Sequence, residues 1–317
     1  MRNIKHARWA MWQHDDGING ISSSTASHAS FTNADANTGD TTAPSIATPV
    51  VQLEQVSKRY GNREVLHSID WSIQSGECWG VIGPNGSGKT TLMQLIAGTE
   101  HVHTGQVSLQ GQALSSYRRR DIARFMAVLR QDGLAPLHDP VREVVAMGRY
   151  PYQNWLGRDE DPDVEKLLHT IMERLDLLSL ADKPLDQLSG GQRQRVAFAK
   201  VMAQQPQLLL LDEPTTYLDI AYQVHFMEWL DQWRKETGIT VVAVLHDLNL
   251  AARYCDRLLA LDNGQVLMNG TPQQLMQEDV IRQLFHIQPA IVHHDEIDVP
   301  QLLLKRGKGM EARKAAE

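Results

Sequence analysis

Residues Gly83-Pro84-Asn85-Gly86-Ser87-Gly88-Lys89-Thr90 follow an apolar run, Cys78 to Ile82. They open a stretch with helical spacing, Thr91 to Ala97, that stops at Gly98. A glycine-rich turn held between a strand and a helix implies an α/β core, because the helix must pack back over the sheet its strand belongs to. The turn also carries chemistry. Glycines let backbone N–H groups wrap closely around a phosphate chain. A helix starting near Lys89 aims its positive end at the same point. Gly83, Pro84, Asn85, Gly86, Ser87, Gly88, Lys89, Thr90 and Thr91 are therefore candidate contacts to a nucleoside triphosphate. Lys89 is expected on the β- and γ-phosphates and the Thr90 hydroxyl on Mg²⁺.

Other buried strands end in polar residues. Pro206 and Asp212-Glu213-Pro214 bound the four-leucine run Leu208 to Leu211, leaving room for a short buried strand. Ile239 to Leu245 is a second such strand and is followed by His246-Asp247. Ligands in open α/β sheets collect at the carboxyl ends of strands. Asp212 is thus a candidate Mg²⁺ ligand, and Glu213 a candidate general base that polarises the attacking water. His246 can bond the γ-phosphate and orient that water. Gln131, after Phe125 to Arg130, can contact Mg²⁺ or water. Tyr60, beside Gly61, can stack on adenine or pack as an ordinary core tyrosine.

Around this core the chain changes character three times. Residues 1 to about 48 are rich in Ser, Thr, Asn, Asp, Ala and Gly and lack apolar periodicity, so disorder is expected there. Val50 to Val56 and Gln106 to Leu109 read as strands. From about Pro140 to Asp186 the pattern turns helical. Val164, Leu167, Leu168, Ile171, Met172 and Leu175 mark one helix face, and a helical subdomain inserted at about 132–187 is predicted. Leu258–Leu261 and Gln265–Met268 flank Asp262-Asn263-Gly264, a hairpin signal. Residues 286–317 read as a C-terminal segment with a basic, solvated tail (Lys305, Arg306, Lys308, Arg313, Lys314).

The formal net charge of −7 disfavours nucleic acid as a partner. Two cysteines, Cys78 and Cys255, make neither a disulfide framework nor a metal set. Adjacent His293 and His294 would face opposite ways in a strand, and with His101, His103 and His286 they read as solvated or packing residues. No apolar run approaches the roughly 20 residues of a membrane span. Arg2, Lys5 and Arg8 precede an apolar stretch broken by Gln13 and His14, so no secretory signal is expected.

With Leu188-Ser189-Gly190-Gly191-Gln192 and the Leu218-Asp219 turn added, residues 49 to 285 resemble the nucleotide-binding subunit of ATP-binding cassette (ABC) transporters. The resemblance implies a P-loop NTPase core with a mostly parallel sheet, an antiparallel β subdomain and the inserted helical one. It implies an Mg²⁺-dependent ATPase working as a head-to-tail homodimer. In that dimer Ser189, Gly190, Gly191 and Gln192 of one copy would meet the nucleotide held by Lys89 of the other. Narrower stretches, Gly148 to Tyr152 with Leu156-Gly157-Arg158, Thr215 to Ile220 and His246 to Asp256, are similar to ATPases of bacterial iron(III)-siderophore and ferric-dicitrate importers. Haem and cobalamin importers are close alternatives. This likeness implies a peripheral subunit on the cytoplasmic face of the inner membrane, docked to a polytopic permease around Tyr150, Tyr152 and Trp155. A substrate-binding protein would be an indirect partner. A soluble ABC protein of DNA repair or translation usually brings tandem cassettes or a long coiled-coil insert, and a small-molecule kinase would lack Leu188 to Gln192.

Overall fold

The computed structural model describes residues 48–305 except 132, 133, 136, 137 and 217. The expected disordered stretch, apart from Thr48, and the basic tail after Lys305 lie outside them.

Two sheets build the cassette. In the first, β1 (Val51–Tyr60) and β2 (Arg63–Ile73) form a hairpin around Gly61-Asn62, and β4 (Thr104–Leu109) and β5 (Gln112–Ala113) extend it in the order β2-β1-β4-β5. This is the predicted antiparallel unit, but β2 is not visible as a period-two pattern. Bulges explain why. Gln55 and Ser68 have positive φ (48° and 47°), and the β1–β2 register shifts beside them, so side-chain alternation restarts partway along each strand.

The second sheet takes β3 (Cys78–Ile82), β6 (Met126–Leu129), β7 (Leu208–Asp212), β8 (Thr240–Val244), β9 (Arg257–Asp262) and β10 (Gln265–Gly270). Its order is β10-β9-β3-β8-β7-β6, and every neighbouring pair but β10–β9 is parallel. All residues of β3 and β8 are buried. A parallel strand covered on both faces has no solvent side to alternate with, which is why these strands read as unbroken apolar runs. The β9–β10 turn is the predicted one. Asn263 and Gly264 both have positive φ (44° and 76°), the requirement of a right-twisting two-residue hairpin.

The helices are α1 (Lys89–Ile96), α2 (Arg119–Phe125), α3 (Val141–Ala146), α4 (Val164–Arg174), α5 (Gly190–Ala203), α6 (Ile220–Thr237), α7 (Leu248–Tyr254), α8 (Pro272–Leu275) and α9 (Glu278–Phe285). Between residues 141 and 187 lie α3, α4 and three short 3₁₀ turns, the predicted helical insertion. Leu168, Ile171 and Met172 of α4 are buried, and Leu175 just beyond it, as the three-and-four spacing requires. Beyond 286 the structure departs from a plain segment. β11 (Pro289–His294) and β12 (Ile297–Leu304) form a hairpin docked on α7. The Asn249 amide donates to the Leu302 carbonyl (3.2 Å) and accepts from the Leu302 N–H (2.7 Å). Both cysteines are buried free thiols. Among the described residues no helix is long and apolar enough to cross a membrane.

Phe198 of α5 packs between two rings of α6, Phe226 at 4.9 Å and Trp233 edge-on at 5.6 Å. All three are at most 2% exposed. Phe198→Ala is expected to cost about 3–5 kcal/mol through lost burial and a residual cavity. A urea midpoint unchanged from the parent would contradict this packing.

Candidate functional site

Strand order assembles the site. β3, β8, β7 and β6 are consecutive parallel neighbours, so their carboxyl ends share one edge. Val81 pairs with Val244, Asp212 with Val244, and Leu129 with Leu211. The glycine loop, His246, Asp212-Glu213 and Gln131 therefore leave the sheet side by side.

The glycine loop is tightly fitted. A Cβ on Gly83 would lie 2.1 Å from the Leu261 carbonyl oxygen. Gly88, the residue before α1, has φ 102°, and a Cβ there would meet Leu66 at 2.7 Å. Only glycine satisfies both positions. Lys89 is buried, and its ammonium donates to the Gly83 and Pro84 carbonyls, each at 2.9 Å. Burial pushes its pKa below the ordinary lysine value, while the charges of Glu213 and Asp212 oppose that shift. The buried Ser87 hydroxyl has no hydrogen-bond partner among the described residues.

Across from the loop, Glu213 adopts φ 53°, unusual for a residue with a side chain. Its carboxylate pairs with His246 Nε2 at 2.6 Å through one oxygen and accepts from the Thr216 hydroxyl at 3.3 Å through the other. Two residues with separate expected roles thus meet side chain to side chain. Burial, then the charge of Glu213, raises the Asp212 carboxyl above the usual range, while Arg130, Lys89 and the Thr90 hydroxyl pull it down. Asp212 Oδ1 is buried without a hydrogen-bond partner among the described residues. A hard cation needs oxygen donors, and a buried orphan carboxylate oxygen needs a partner. Asp212 beside Thr90 therefore fits Mg²⁺.

A cavity of about 550 Å³ opens here. Tyr60, Arg63 and Val65 line one side, and Gln131, Glu213 and His246 the other. Asn85, Gly86, Gly88, Lys89, Thr90 and Thr91 lie between them. Tyr60 is 42% exposed, and the Lys58 ammonium sits 4.8 Å from its ring centroid. Arg63 and Val65 escaped the sequence reading. The available signal was the two-residue turn, which pairs Tyr60 with Arg63 and so folds β2 back over the same cavity.

Ser189, Gly190, Gly191 and Gln192 do not line this cavity. They start α5, where Ser189 Oγ accepts from the Gln192 N–H (3.3 Å) and Gln192 Oε1 accepts from the Ser189 N–H (3.0 Å). This capping box ties the Gln192 side chain back to the start of its own helix. Ser189 and Gly190 are exposed, and a Cβ on Gly190 would meet nothing within 4 Å.

The expected docking aromatics are split. Trp155 and Tyr150 are 91% and 60% exposed. Tyr152 is half-buried: its hydroxyl donates to the Arg124 carbonyl (3.4 Å) and its ring lies 4.1 Å from the Arg149 guanidinium. Burial raises its phenol pKa. Tyr152 supports this loop from below and is not part of its exposed tip.

Residues 66–216 match the ABC transporter family model. Iron(3+)-hydroxamate import ATP-binding protein FhuC of Bacillus subtilis (strain 168) is 40% identical over 253 residues, 80% of this chain and 94% of that protein. The chain belongs to the ATP-binding subunits of ABC transporters. Ferric enterobactin transport ATP-binding protein FepC of Escherichia coli (strain K12) is 37% identical to this ABC ATPase over 239 residues, 75% of this chain and 88% of that protein. The dimeric structure of MJ0796, a bacterial ABC transporter cassette, is 28% identical with a TM-score of 0.62, covering 70% of this chain and 98% of that one.

Asp212 also sets a pH dependence. Its folded-state pKa is raised, so the unfolded chain releases this proton first. The ionised carboxylate then lowers stability at neutral pH, and this cost fades as pH falls toward the ordinary carboxylate range. Asp212→Asn is expected to raise the thermal midpoint of the nucleotide-free protein at neutral pH, with the gain shrinking in acid. A lower midpoint at neutral pH would contradict the burial argument.

Proposed function

We propose that this ABC ATPase powers import of a ferric siderophore-type complex through a separate membrane permease. The names of the relatives FhuC and FepC support the cargo class. One observation carries the mechanism: Glu213, His246 and Lys89 share a cavity from which Ser189 and Gly190 are absent, although both are exposed at a helix start. A helix start is an anion site, and this one does not border the cavity that Lys89 lines. A second copy in head-to-tail arrangement completes the cage.

In this reading Tyr60 stacks on adenine, the backbone from Gly83 to Gly88 wraps the phosphates, and the Lys89 ammonium exchanges loop carbonyls for β- and γ-phosphate oxygens. Thr90 and Asp212 would hold Mg²⁺, with Gln131 beside them, and the ion would supply positive charge against the phosphate oxygens. Glu213 accepts the proton of the attacking water. His246 holds that carboxylate in place and can reach the γ-phosphate. Ser189, Gly190 and Gly191 of the partner copy cap the γ-phosphate. ATP thus stabilises the closed pair, and hydrolysis releases it. The subunit sits on the cytoplasmic face of the membrane, with Tyr150 and Trp155 against the permease and a substrate-binding protein as indirect partner.

Glu213→Gln is expected to bind ATP normally, to lose turnover by about 10²–10⁴-fold as a general base would, and to accumulate a dimer in size-exclusion chromatography with ATP. Parental turnover would remove Glu213 from that role. In a strain deleted for this subunit, uptake of a radiolabelled ferric hydroxamate should return with the parent chain. It should not return with Tyr150→Asp/Trp155→Asp, although that variant hydrolyses ATP as a free subunit. Restored uptake by the double variant would refute the docking surface, and no uptake deficit in the deletion strain would refute this cargo.

A further inference from the structure

The turn that carries Glu213 is strapped from two sides by side-chain amides. Gln194, in the second turn of α5, donates through Nε2 to the Pro214 carbonyl at 2.9 Å. Gln223, in the first turn of α6, donates through Nε2 to the carbonyls of Thr215 (3.2 Å) and Leu218 (3.1 Å). Within the turn, the Thr216 N–H donates to the Glu213 carbonyl at 3.2 Å and the Leu218 N–H to the Thr215 carbonyl at 3.3 Å. Pro214 has no N–H, so its carbonyl is its one backbone polar group, and Pro214 is buried. That carbonyl takes its hydrogen bond from Gln194.

The strap has something to resist. Glu213 sits at φ 53°, a conformation that a residue with a side chain keeps only where its surroundings enforce it. Gln194 holds the residue immediately after it. The two helices that supply the amides also abut at their starts: a Cβ on Gly191 would lie 3.5 Å from the Tyr222 ring, and Asp219 caps α6 by accepting from the Tyr222 N–H at 2.9 Å.

We infer that Gln194 is a positioning residue for the hydrolytic carboxylate: it ties the Glu213 turn to the helix whose first turn reaches the partner's nucleotide. The inference rests on the proposed composite site. Each chain offers Ser189 and Gly190 to one ATP and Glu213 to another. Gln194, five residues past Ser189, links the element that captures one γ-phosphate to the base that works on the other. When it is lost, the strained turn relaxes and the carboxylate leaves its place beside His246.

The test is steady-state ATP hydrolysis by the full chain, with ATP binding and urea midpoints measured in parallel. Gln194→Leu should lower kcat by about ten- to a hundredfold, the scale on which ångström misplacement acts, with KM and ATP affinity unchanged. Gln194→Asn, whose amide is too short to reach, should follow it. Gln194→Lys, which restores a donor, should recover most of the loss. In a Glu213→Gln background, Gln194→Leu should leave the residual turnover unchanged, because both changes act through one carboxylate. Parental kcat in Gln194→Leu and Gln194→Asn overturns the inference. So does a full multiplicative loss in the Glu213→Gln background, which would mark a generally structural effect. Full turnover by Glu213→Gln alone would instead overturn the base assignment, and the inference with it.

Discussion

The site depends on keeping two carboxylates and one ammonium in a buried corner at the end of a parallel sheet. Asp212 is partly buried, Lys89 is buried, and each lowers the other's cost. Burial favours the neutral form of both groups, and their mutual attraction favours the charged one. The fold holds this balance with backbone. The carbonyls of Gly83 and Pro84 solvate the ammonium, which works only because the loop approaches Leu261 more closely than any side chain would permit. Glycine at 83 is thus an electrostatic requirement as well as a steric one: widening the loop would strand the charge.

A second constraint follows from the α5 start. Leu185 and Leu188 are buried immediately before it, and the Arg193 guanidinium donates to the Leu188 carbonyl at 3.0 Å. With the capping box, these contacts fix Ser189 and Gly190 on the surface. The helix start cannot fold back onto the cavity of its own chain without exposing two leucines. The capped α5 start and the strained Glu213 turn are joined through the Gln194–Pro214 hydrogen bond.

Much of this was legible in the sequence, for reasons that differ by residue. The glycine loop, Asp212-Glu213 and His246 were visible because buried parallel strands end abruptly and a polar residue at each end stands out. The β9–β10 turn was visible because Asn263-Gly264 states its own backbone angles. Three things were not. β2 was hidden by bulges that break its alternation, and Arg63 and Val65 went with it. The Glu213–His246 pair needed the adjacency of β7 and β8, which local spacing does not encode. Tyr152 looked the same as Tyr150 on paper, and only the positions of Arg124 and Arg149 show that one supports the surface and the other forms it.

The contacts of Tyr152 belong to a wider set that orders this loop. The loop behind Trp155 is not a floppy tip. Asn154 Oδ1 accepts from the N–H groups of Leu156 (2.9 Å) and Arg158 (3.1 Å), closing the turn on itself. Arg149 grips Asp159 through two nitrogens, at 2.8 and 3.1 Å, and donates to the Ala203 carbonyl at the end of α5. Asp159 is held below the usual carboxylate range by these bonds despite its burial. Arg124 donates to the Pro151 carbonyl from α2, the helix that leads into β6 and Gln131. Arginines thus tie the Trp155 loop to the C-terminal end of α5 and to α2, which leads into β6. A guanidinium that bonds a carboxylate with two nitrogens and a carbonyl with a third fixes the orientation of the groups it joins, which a single apolar contact cannot do.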